Sequence, residues 1–138
     1  MPGAFCSTRI DCELKGALEK VLGIGGLFFR ARNSQLLSQW YLTQLGVRPG
    51  PLVHDQTPWL QERGPTAFAP FDADTSYFGS AKNTWMVNFR VRDLDAMLAQ
   101  LRAAGVDVAL YALQYPNGRF ARLYDPEGNP IEPWEPSP

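Results

Sequence analysis

Two five-residue stretches sixty positions apart, "FRARN" at 29–33 and "FRVRD" at 89–93, constrain this chain more than any other feature. Each is joined to an apolar run, "GIGGLF" or "TWMVNF", and each leads into a helical pattern. In the first copy Asn33 is placed to cap a helix whose apolar positions are Leu36, Leu37, Trp40, Tyr41 and Leu45. In the second, Asp93 caps, and Leu94, Met97, Leu98, Leu101 and Ala104 form the stripe. Gly46 and Gly105 stand where the two helices should close. The shared order of strand, cap, helix and glycine predicts an internal duplication.

The repeat continues toward the C-terminus, where "FAPFDA" (68–73) aligns with "IEPWEP" (131–136) at an offset of 63. Between each helix and that last strand lie shorter extended segments. In the second half they read "VDVALYAL", then "GRFARLY", then "NPIEPW". Asp125-Pro126-Glu127-Gly128 has the residues of a type I turn: Asp first, Pro fixing φ second, Gly fourth. The first half is less legible, because "VRPGPLVHDQTPWLQERGP" is rich in Pro and Gly. Each half is predicted as βαβββ, giving an α+β fold of two tandem modules. The expected layout is an N-terminal extension over 1–20 and a single domain over 21–136. Within it, module 1 covers about 21–73, a linker about 74–83, and module 2 about 84–136.

A chain of 138 residues can bury one proper core. With 45% apolar and 20% charged residues it has the balance of a globular protein, and at a net charge of −1 it shows no basic run, so no nucleic-acid partner is expected. No apolar stretch approaches the ~20 residues needed to span a bilayer, so no membrane partner is expected either. The start mixes charges early and lacks a signal core. Cys6 and Cys12 form neither a disulfide framework nor a zinc signature. A cytoplasmic protein is the expectation.

The paired modules, the aromatic pair Trp40-Tyr41 in the first helix and "DPEGNPIE" near the C-terminus together resemble the vicinal oxygen chelate superfamily. That group includes glyoxalases, extradiol dioxygenases, fosfomycin-resistance thiol transferases and bleomycin-resistance proteins. The resemblance covers residues 21–136. It implies two curved sheets enclosing a cup, often completed by a second subunit, and so a homodimer. In metal-using members the ligands come from the first and last strand of each module. Carried onto this sequence, those four places hold Gly26, Ala69, Met86 and Glu132. Glycine and alanine offer no side-chain donor, and a thioether suits hard divalent ions poorly. One carboxylate cannot fix an open coordination sphere. His54, the only histidine, lies in a Pro-rich stretch away from all four places. The expectation is that the usual metal site has been lost and that no cofactor is used.

Strand alternation then sorts the side chains. Leu27, Phe29 and Ala31 are expected against the helices, with Gly26, Phe28 and Arg30 on the concave side; Val87, Phe89 and Val91 against the helices, with Met86, Asn88 and Arg90 facing the cup. Ala69 and Phe71 share a face, as do Glu132 and Trp134. The candidate ligand-binding residues are Phe28, Phe71, Met86, Asn88, Arg122, Glu132 and Trp134, an apolar wall with a few polar groups. Glu132 is also the candidate acid/base, because a carboxylate among Ile131, Pro133 and Trp134 must reach water, pair with Arg122, or meet a ligand. The linker "FDADTSYFGSAKNTW" (71–85) is expected to arch across the cup mouth, with Tyr77 and Phe78 as a lid or a subunit contact. Tyr111 and Tyr115 lie beside a Pro-Asn-Gly turn, at a rim or an interface.

The functional expectation is metal-independent binding of a small molecule, for sequestration, carriage or resistance. Two alternatives stand beside it. One is a lyase, isomerase or dioxygenase working through a metal or through Glu132. The other is a partner-binding module whose cup is filled by its own side chains.

Overall fold

Both predicted caps form, and with almost the same backbone. Asn33 (φ −136°, ψ 93°) accepts from Leu36 N at 3.1 Å, and Asp93 (φ −137°, ψ 101°) accepts from Ala96 N at 2.9 Å. They open α1 (Ser34–Leu45) and α2 (Leu94–Ala103). Gly46 closes α1 at φ 69°, a left-handed position that glycine takes without strain, and its N–H reaches back to Leu42 O. The cap, helix and glycine unit thus occurs in both halves. The structure, a computed structural model, describes residues 19–50 and 57–138. Cys6, Cys12 and His54 lie outside them.

Among the described residues the strands all come from the second half: β1 (Val87–Arg90), β2 (Ala109–Leu110), β3 (Gly118–Tyr124) and β4 (Pro130–Pro136). They form one curved, unclosed sheet in the order β1-β4-β3-β2. β1 and β4 are parallel, with α2 as part of the crossover between them; β4–β3 and β3–β2 are antiparallel. This is the predicted βαβββ unit, and β3 coincides with the "GRFARLY" segment. The architecture is α+β.

Among the described residues the first half supplies a helix and no strand. The expected strands through 24–31 and 68–71 have no ladder partners. An extended segment becomes a strand only when a neighbour takes its N–H and C=O groups, and here many of the side chains face outward. Leu22, Phe28 and Phe68 are exposed.

α1 instead packs on the sheet of the second half. The core joins Leu37 and Tyr41 of α1, Leu94, Leu98 and Leu101 of α2, Ala121 and Leu123 of β3, and Ile131 of β4. Both helices therefore cover one face of the sheet. Leu36, expected in the α1 stripe, is exposed, and Ala104 of the α2 stripe is exposed too.

The Asp125–Gly128 turn locks α1 to the β3–β4 hairpin. Gly128 N donates to Asp125 O at 2.9 Å, closing the predicted turn. The buried Asp125 carboxylate accepts from Glu127 N, from Asn129 N and Nδ2, and from the Tyr41 hydroxyl at 2.6 Å. Glu127 reaches the entry of α1, accepting from Arg32 N and Asn33 N. Those two N–H groups hold its carboxyl below the ordinary glutamate range. So the motif "DPEGN" serves here as a clamp between the two halves.

Candidate functional site

The pairing register fixes what the other face of the sheet presents. Asn88 lies beside Glu132, Arg90 beside Trp134, and Trp134 opposite Phe120. With period two, Asn88 and Arg90 of β1, Glu132 and Trp134 of β4, and Phe120, Arg122 and Tyr124 of β3 share the face turned away from the helices. The parity assigned from sequence to Asn88, Glu132 and Trp134 holds.

Glu132 is 6% exposed, and both its oxygens are engaged. Oε1 accepts from Asn88 Nδ2 at 2.8 Å, and Oε2 accepts from the Tyr77 hydroxyl. It makes no ion pair with Arg122, the expected partner. Tyr77 stands between them. Arg122 Nη2 donates to Tyr77 O at 2.7 Å, and the guanidinium carbon lies 4.8 Å from the centre of the Tyr77 ring. Arg122 Nη1 reaches toward the Tyr124 hydroxyl at 3.5 Å, while its Nε is buried with no acceptor among the described residues. Burial, then the hydrogen bond to Glu132, then the neighbouring Tyr111 push the Tyr77 hydroxyl well above the ordinary tyrosine range.

Tyr77 is delivered by the linker, as a covering element should be. Residues 72–83 run through successive turns, Thr75 N to Asp72 O, Gly79 N to Ser76 O and Asn83 N to Ser80 O. Phe71 stacks on the Tyr77 ring at 5.5 Å and 15°, and packs at 5.1 Å against Phe78. Of the lid pair, Tyr77 is the one that reaches Glu132.

Beside Tyr77 the face opens into a cleft of about 590 Å³ lined by Tyr77, Tyr111, Tyr115, Asn117 and Phe120. Phe120 is braced by its cross-strand neighbour on the same face. Trp134 stacks on Phe120 at 5.9 Å and 1°, and its Nε1 donates to Asn117 O at 2.8 Å. Gly118 lets the β3 backbone lie against this pair. Its φ is 133°, and a Cβ there would strike Trp134 Nε1 and the Glu135 carbonyl.

Of the residues expected to bind ligand, Asn88, Arg122, Glu132 and Trp134 meet on one face, and Phe71 joins them through Tyr77. Met86 precedes β1, half-buried. Phe28 is not brought to the site; at 94% exposure it points to solvent, because residues 19–33 form no strand and so have no sheet face to project from. Sequence reasoning missed Phe120, Asn117 and the bond from Tyr77 to Glu132. Alternation along "GRFARLY" would have placed Phe120 with Arg122; nothing in the periodicity signals Tyr77.

The donor set at the four places named for a metal suits a divalent ion poorly. Gly26 and Ala69 sit in the strandless segments, Met86 offers a thioether, and both Glu132 oxygens accept from protein groups. No group of three His, Cys, Asp or Glu side chains comes together among the described residues.

No family model matches the chain, and no curated protein matches it. Solved structures do. One is an antibiotic binding protein from Streptomyces sp. CB03234, at 22% identity and TM-score 0.46 over 76% of this chain and 88% of that one. A second is a glyoxalase/bleomycin resistance protein from the same organism, at 21% identity and TM-score 0.44 over 75% and 92%. A glyoxalase family protein from Bacillus anthracis matches at 25% identity and TM-score 0.36 over 40% of this chain, and the match spans only 44% of that protein. These glyoxalase-family and antibiotic-binding structures are what the chain is similar to, each at a TM-score of 0.46 or below.

Proposed function

We propose that this protein binds a small organic molecule on the concave face of its sheet, without a metal ion, in a sequestering, carrier or resistance-type role. The observation that carries the reading is the open aromatic cleft of Tyr77, Tyr111, Tyr115 and Phe120 set directly beside a buried polar cluster. Such a combination gives area for a flat apolar body and a few fixed groups to orient it. The engaged state of Glu132 favours an orienting role over that of a base, since a proton acceptor needs a free oxygen toward its substrate.

The proposal includes a homodimer. It rests on the exposure of Val21, Leu22, Ile24, Phe28 and Phe68 on the strandless segments, apolar side chains that a second copy would cover.

A thermal-shift panel of aromatic compounds tests the binding reading. A ligand that binds only the folded chain raises its melting temperature in proportion to the logarithm of ligand concentration over Kd. At least one planar aromatic compound should do so, and Tyr111→Ala should diminish the shift. A panel without any concentration-dependent rise contradicts the proposal.

A further inference from the structure

The Tyr77 side chain is held on the face turned away from the helices by groups that a bound molecule would also use. The Glu132 carboxylate takes its hydroxyl, the Arg122 guanidinium covers one part of its ring, and Phe71 stacks on it. Its receivers Glu132 and Arg122 belong to β4 and β3, a rigid ladder, whereas Tyr77 itself comes from a segment of turns. It is also the wall shared by this polar cluster and the open cleft, so a ligand in the cleft already touches the Tyr77 ring.

We propose that the place Tyr77 fills is a subsite for a phenolic ring, which the ligand enters by displacing the Tyr77 side chain. This deepens, and rests on, the small-molecule reading above. The chemistry of the vacated place selects its occupant. Glu132 Oε2, within a residue 6% exposed, needs a hydrogen-bond donor in place of the tyrosine hydroxyl. The guanidinium above needs a π face. Arg122 Nε, buried without an acceptor among the described residues, tolerates an oxygen next to the ring. A hydroxylated aromatic meets these demands; an aromatic hydrocarbon or an aryl ether leaves Glu132 Oε2 without a donor.

Calorimetric titration of the full chain with 2-naphthol and with 2-methoxynaphthalene tests the assignment, since the two share a ring system and differ in the donor. The hydroxyl compound should bind at least about tenfold tighter, the scale of one hydrogen bond to a buried charged group. Tyr77→Ala, which empties the place, should tighten 2-naphthol by about tenfold and leave the ether weak. Tyr77→Phe keeps the ring and the fold but drops the bond to Glu132, and should tighten 2-naphthol in the same direction. If the two compounds bind alike, or if 2-naphthol binds equally to the natural chain and both variants, the subsite is overturned and the small-molecule reading stands. If no aromatic compound of the wider panel binds, both are overturned.

Discussion

The Tyr77 hydroxyl donates to a carboxylate that is almost out of contact with water, so its removal leaves a charged oxygen with one partner fewer. Tyr77→Phe should cost about 1–2 kcal/mol of folding stability in urea denaturation, the low end for a bond to a charged group because Tyr77 keeps partial access to solvent. Tyr41→Phe, which removes a donor from the buried Asp125, should cost a similar amount, about 1–2 kcal/mol. Both hydroxyls titrate above their ordinary value of 10.0, Tyr41 through burial and then its bond to Asp125, Tyr77 through burial and then its bond to Glu132. The unfolded chain ionises these groups first, so their stabilisation is complete below pH 10 and is lost as pH rises above it. Absorbance titration at alkaline pH should show Tyr41 and Tyr77 ionising late, together with unfolding. Replacing both by Phe should remove the two late ionisations.

Helix ends and strand contacts carry the next layer. Asn33→Ala and Asp93→Ala each delete a side-chain acceptor at a helix start and should cost about 1 kcal/mol. Gly118→Ala should cost more, about 2 kcal/mol or above, since φ 133° strains any other residue and its Cβ has backbone in the way. The second half was readable from sequence because its signals are local. A cap, a helical stripe, a Pro-Glu-Gly turn and alternation along β1 and β4 all agree, and they placed Asn88, Glu132 and Trp134 on one face. The first half was not, because alternation predicts facing only where a ladder exists. In the stretch 57–71 prolines withhold donors, and residues 19–33 find no partner strand. Phe28 was lost to the site for that reason. Tyr77 was named as a lid residue, but its partner escaped for another reason. Its bond to Glu132 spans 55 positions and comes from a turn-built linker, where no periodicity records distance.

At the scale of the molecule, one sheet carries helices on one side and an aromatic, polar-centred face on the other. No helix among the described residues is long and apolar enough to cross a membrane. The proposed homodimer has its test at this scale. Sedimentation velocity should return twice the chain mass at micromolar concentration, and a single monomer boundary there would remove the dimer from the account. Metal-free recognition is the claim that the rest of the functional account depends on. The direct measurement is a titration of one binding aromatic compound into chain stripped with EDTA, repeated after dialysis against zinc, manganese and nickel. The account predicts the same Kd throughout; binding that vanishes on stripping and returns with one equivalent of a divalent ion would contradict it.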